Sequence, residues 1–207
     1  MAVGNNSSAT FYSISDGKIC RQFKEMTLES ISRTNKLGRI VHEEFYDYID
    51  GIITEISVRE NDYGKQWNIF LLDNGTIQLL NMPYSSGYAS AFLKMLPNVD
   101  LQQRIKIIPK MVMEGDKKKT GLFLTQNGVP VKWFYTKEHP QGLPQMVQKK
   151  VKGQMVWDDS DMMEFLEKMV TETIVPNLKT PVSVIDHLTS EVEKEIISEK
   201  PDGKLPF

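Results

Sequence analysis

Residues 49–84 read IDGIITEISVRENDYGKQWNIFLLDNGTIQLLNMPY. Ile49 to Arg59 is rich in β-branched residues and sets Ile52, Ile56 and Val58 on one face of a strand. Asn61-Asp62-Tyr63-Gly64 is a turn, and Lys65 to Leu72 is the next strand. Asp73-Asn74-Gly75 is a tight hairpin signal, and Thr76 to Tyr84 follows as a third strand that ends at Pro83. Three consecutive antiparallel strands make this stretch the centre of a mainly β fold.

The pattern changes period just after it. In Ser85 to Leu96, Tyr88, Phe92 and Met95 or Leu96 recur at helical spacing, and Pro97-Asn98 stops the helix. Arg104 to Met113 is a fourth strand with Ile105 and Ile107 inward. Gly121 to Gln126 and Val129 to Tyr135 flank Asn127-Gly128, a strong hairpin signal. Upstream, Phe11 to Phe23 reads as a hairpin around Asp16-Gly17, and Glu25 to Arg33 as a short helix or an extended connector. The expected architecture is a five-stranded barrel with an extra N-terminal hairpin and one helix between its third and fourth strands. Closure of a barrel would remove the sheet edges.

After His139-Pro140 the composition shifts. Gln141 to Val151 is polar, with Pro and Gly, and reads as a linker. Asp158 to Val175 is an amphipathic helix with Met162, Phe165, Leu166, Met169 and Val170 on one side and an acidic start. Residues 1–155 hold 20 Lys and Arg against 15 Asp and Glu, whereas residues 156–207 hold 5 against 12. A basic body (1–155, its first ten residues a disordered arm) and an acidic C-terminal segment (156–207, helix then flexible tail) are therefore expected. The split suits a polyanion-binding domain whose tail avoids the polyanion.

The strand order and the segments Asp50-Gly51-Ile52-Ile53-Thr54-Glu55-Ile56 and Tyr63-Gly64-Lys65-Gln66-Trp67 resemble the oligonucleotide/oligosaccharide-binding fold of phage-type single-stranded DNA-binding proteins, over roughly residues 38–135. Leu205-Pro206-Phe207 resembles the tip of bacterial single-stranded DNA-binding proteins, although Gly203-Lys204 stands where those carry aspartates. The resemblance implies binding of single-stranded DNA and recruitment of replication, recombination or repair proteins through Leu205, Pro206 and Phe207. An aromatic ring beside a free carboxylate would fill an apolar pocket and pair with Arg or Lys.

Sequence-tolerant binding of single strands needs aromatic faces for bases and cations for phosphates. Arg59, Tyr63, Lys65 and Trp67 form one such set around the first hairpin turn, with Trp67 equally suited to the barrel core. Lys132, Trp133, Phe134 and Tyr135 form a second, of which alternation turns at most half outward. Lys117, Lys118 and Lys119 fall in the expected loop between the fourth and fifth strands, and Arg104 and Lys106 share an outer face. Tyr84 and Tyr88 flank Gly87, Tyr88 as helix packing.

Little in the sequence suggests an enzyme. His42, His139 and His187 have no metal-ligand spacing, and the single cysteine, Cys20, has no local histidine partner and no disulfide to form. Asp158, Asp159 and Asp161 read as acids at a helix start rather than as a metal site. No cofactor is expected. With no apolar run of membrane-spanning length and no secretory start, the expected location is the cytoplasm of a bacterium or a phage-infected cell. Two other readings stay open. One is a structural or scaffold β-barrel, such as a phage assembly component, without nucleic-acid binding. The other is a nuclease or annealing enzyme that uses the acidic cluster.

Overall fold

The computed structural model describes residues 9–35, 38–61, 64–151 and 153–178. It is mainly β: strands β1 (Thr10–Ser15), β2 (Lys18–Phe23), β3 (Ile31–Thr34), β4 (Ile40–Tyr46), β5 (Ile49–Asn61), β6 (Gly64–Asp73) and β7 (Thr76–Pro83) precede helix α1 (Gly87–Met95). Strands β8 (Ile105–Glu114), β9 (Lys117–Gln126), β10 (Val129–Pro130), β11 (Val147–Val151) and β12 (Gln154–Asp158) precede helix α2 (Ser160–Met169). Three hairpins turn on Asp16-Gly17, Asn74-Gly75 and Asn127-Gly128, each with both residues at positive φ.

The expected five-stranded closed barrel is corrected. Its strands are present in the order β9-β8-β5-β6-β7, but they sit in a ten-stranded sheet, β10-β9-β8-β5-β6-β7-β1-β2-β4-β3, that does not close. The free edge of β7 is taken by β1, in parallel, with Phe11 opposite Leu79. α1 packs against β9, so that a Cβ on Gly87 would lie 2.8 Å from the Thr120 carbonyl oxygen. The sheet curls instead. Its β1–β2 turn reaches back to β8 and β9, where the Gly17 N–H donates to the Tyr88 hydroxyl (2.9 Å) and Lys118 pairs with Asp16.

Inward alternation builds the core. Trp67, Ile69 and Leu71 from β6, Leu80 and Met82 from β7, and Ile105 and Ile107 from β8 are buried together with nearly all of α1. Ser86 caps α1 by accepting from the Ala89 N–H. β5 bends at an irregularity between Ile53 and Glu55, which changes the parity of its faces. Ile53, not Ile52, therefore shares the inward face with Ile56 and Val58, a correction to the expected strand face. The bend lets one strand pair with β8 at its start and with β6 along the rest.

One open alternative is settled and two other expectations change. Of the helix or extended connector expected over residues 25–33, the structure has the extended form, and Ile31–Thr34 is a strand against β4. The expected linker ends in a strand, β11, that pairs with β12 just beyond it, and the 155/156 division falls inside β12. The amphipathic helix joins the body's own core through Met162, Met163, Leu166 and Val170, and continues as a π turn over Val170–Ile174. Among the described residues, no helix is long and apolar enough to cross a membrane.

Candidate nucleic-acid interface

The outward face of β8 and β9 gathers cations and apolar side chains in alternation. Ile105, Ile107 and Pro109 point inward, so Lys106, Ile108, Lys110 and Val112 point outward. Across the ladder, Ile108 faces Phe123, Lys110 faces Gly121 and Val112 faces Lys119. Leu122 and Leu124 are buried, which turns Phe123 (56 % exposed), Lys119 and Lys117 to the same outer face. At its lower end the Lys106 ammonium lies 4.0 Å from the centre of the half-exposed Tyr48 ring.

Three aspartates at the lower end of this face are engaged elsewhere, while Glu114 and Asp116 stand at its far end. Arg104 holds both Asp73 (2.6 Å) and Asp50 (3.3 Å), and Lys18 holds Asp47. Among the described residues, Lys106, Lys110 and Lys117 have no carboxylate within ion-pair distance, and Lys119 has only the exposed Glu114 at 3.7 Å. The lysines 117–119 are thus strand residues and not a loop, a correction that follows from the β8–β9 ladder extending to Glu114 opposite Lys117. Alternation separates them: Lys117 and Lys119 face out, while Lys118 turns to Asp16.

The other expected residues go elsewhere. Arg59 is exposed and lines a groove of about 790 Å³ across β5, β6, β7, β1 and β2. The amides of Gln22, Gln66, Asn68 and Asn81 line the same groove beside the exposed Phe11. Trp67 is 1 % exposed and stacked on Tyr84, with ring centres 5.6 Å apart, so it offers no face to a base. Lys65 lies over the Tyr84 ring and pairs with Glu167 of α2 (2.6 Å). Arg104 is held by its two aspartates. β10 stops at Pro130, which has no N–H for the ladder, and the chain then ties the Phe134 and Tyr135 N–H groups to the Lys94 carbonyl. That leaves Lys132 and Trp133 exposed and buries Tyr135 against Phe134 and Phe165. Tyr63 and Leu205, Pro206 and Phe207 lie outside the described residues.

Cys20 is buried, and burial together with the Glu43 charge pushes its thiol up to about 11, which keeps it protonated at neutral pH. Asp158 accepts from the Ser160 N–H (3.0 Å) and pairs with Lys149, and these contacts hold its carboxyl well below the usual range. Among the described residues, no group of three or more His, Cys, Asp or Glu is placed to hold a metal ion.

The seat of α2 has a pH dependence. Burial raises the Glu167 carboxyl, but donation from the Lys65 ammonium and the Tyr84 hydroxyl outweighs it, and the net displacement is downward. A carboxyl depressed in the folded state adds stability above its unfolded pKa and loses it as the pH falls through the folded value. Glu167→Gln should lower stability at pH 7 by roughly 1 kcal/mol for a partly exposed pair, read as a lower urea midpoint, and have little effect at an acid pH where the carboxyl is protonated in the folded state. An equal loss at both pH values would show that the ion pair contributes nothing.

Comparison with protein-family models, with curated proteins and with solved structures finds no match to this chain.

Proposed function

We propose that this chain binds and protects single-stranded DNA during replication, recombination or repair, and that it engages the strand on the outward face of β8 and β9. The observation that carries the reading is the set Lys106, Lys110, Lys117 and Lys119 interleaved with exposed Phe123 and Tyr48, with Asp50 and Asp73 at its lower end already paired to Arg104. Ammonium groups take phosphates, and exposed rings take base faces without regard to sequence. The amide-lined groove at Arg59 supplies donors and acceptors for base edges. Recruitment of replication or repair proteins through Leu205-Pro206-Phe207, and a cytoplasmic setting in a bacterium or an infected cell, rest on the sequence pattern alone.

The test is a titration with labelled oligothymidylate at several salt concentrations. Affinity should fall linearly in log–log with salt, at about −0.7 per phosphate neutralised. Replacing Lys106, Lys110 and Lys117 together by Ala should flatten that slope by about 2 and weaken binding at low salt. Phe123→Ala should cost ~1–3 kcal/mol of affinity with the slope unchanged. Phe123 is exposed, so circular dichroism should show an intact fold. A salt-independent or absent interaction would favour the scaffold reading, which the burial of Trp67 and the internal pairing of Arg104 and Lys118 support.

A further inference from the structure

We infer that a cleft between Trp133 and Trp157, lined by no residue of β8 or β9, is a second binding site that takes an unpaired nucleotide, its base against the indoles and its phosphate toward Lys94 and Lys137. This rests on the reading of the chain as a single-strand binder and adds a site to it.

The cleft has a volume of about 600 Å³, within the range of small-ligand sites. One wall is the segment after β10. Its place is set by the two N–H donors of Phe134 and Tyr135 to the Lys94 carbonyl, at the last turn of α1. Trp133, one residue before that clamp, is left 44 % exposed. The opposite wall is the β11–β12 hairpin, where Trp157 sits opposite Gln148 and is 61 % exposed. Met146 and Met162 line the cleft as well, Met162 from the core side. The protein has three tryptophans, and the two that are not core residues both line this one cavity.

The charge of the walls selects the ligand. Lys94 borders the cleft half-buried, with no carboxylate in ion-pair distance among the described residues. Burial draws its ammonium below the ordinary value, with Asp159 as the charge that opposes this. A partly desolvated cation without a partner gains from an incoming anion. Lys137 adds a second positive group, and Thr136 and Gln145 add hydrogen-bonding groups suited to a base edge. A flat aromatic ring carrying an anion meets all of these demands, whereas a purely apolar peptide side chain would leave Lys94 desolvated and unpaired.

The experiment uses the full chain and oligothymidylate, with anisotropy of the labelled strand and intrinsic tryptophan emission read together. Binding should quench the emission, because two of the three indoles lie in the site. Trp133→Ala and Trp157→Ala should each weaken binding by about 5- to 150-fold with the salt slope unchanged, whereas the Lys106, Lys110 and Lys117 replacement should flatten the slope and leave the quench at saturation. Lys94→Gln should weaken binding and flatten the slope by about 0.7. If both tryptophan variants bind like the parent, the second site is overturned and the β8–β9 reading stands. If the parent does not bind the strand at all, both fall. If strand binding is unchanged but the parent dimerises and the Trp157→Ala chain does not, the cleft is an interface between copies and the nucleotide assignment is wrong.

Discussion

Trp67→Ala should destabilise the protein by about 3–5 kcal/mol, the range for truncating a large buried aromatic. The side chain is 1 % exposed, Tyr84 lies parallel to it at 5.6 Å, and Met82 stands opposite it across the β6–β7 ladder. Its removal opens a void beneath α2 and takes the stacking partner from Tyr84, which itself donates to Glu167. For a chain of this length the melting temperature should fall by roughly 6–20 °C. Among the described residues the indole Nε1 has no hydrogen-bond partner, so Trp67→Phe removes an unsatisfied donor while keeping an aromatic ring, and should cost much less. Urea unfolding of the parent and both variants checks this. A Trp67→Ala chain of parental stability with weakened DNA affinity would mean that Trp67 is exposed in solution, and would return the binding face to the β5–β6 turn.

Gly17→Ala should cost about 2–5 kcal/mol, although it alters a turn by one methyl group. Gly17 has φ +79°, a conformation that disfavours any other L-residue by roughly 1–2 kcal/mol. A Cβ there would also lie 2.6 Å from the Met111 backbone nitrogen, so the turn must back away from β8. Overpacking of that kind costs ~1–3 kcal/mol. The displacement would break the donation from the Gly17 N–H to the buried Tyr88 hydroxyl and draw Asp16 away from Lys118. Gly75→Ala is the internal control. It has the same φ of +79° in another hairpin, but open space around the added Cβ, so it should show only the conformational part of the loss. Equal destabilisation of the two variants would show that the curl of the sheet does not depend on this contact.

The local elements were readable where side chains announce them. Asp16-Gly17, Asn74-Gly75 and Asn127-Gly128 turn where their residue types allow positive φ, and α1 runs from its Ser86 cap to Pro97. Ile105 and Ile107 face inward as their alternation says. β4 could not be found this way, because its buried position is Glu43, a charged residue made tolerable by the Arg33 guanidinium (2.5 and 2.7 Å) and by Gln22. The β11–β12 hairpin was hidden as well, since Val147, Met155, Val156 and Trp157 are exposed and polar residues stand between them.

Composition and alternation say which residues can meet phosphate and base, but not which of them are free to do so. Arg104, Lys65 and Lys118 are as basic as Lys106 and Lys110. They are withdrawn by Asp50 and Asp73, by Glu167 and by Asp16, partners up to 102 residues away in the chain. Trp67 and Trp157 are the same residue type on strands. One is enclosed because β7 and Tyr84 pack across it, and the other is exposed because β11 and β12 form a two-stranded hairpin apart from the main sheet. Chain alternation sets the direction of a side chain relative to its own strand. What stands opposite it is set by the curl of the sheet, by the parity change at Thr54 and by the packing of α2, and these arise only when distant segments meet.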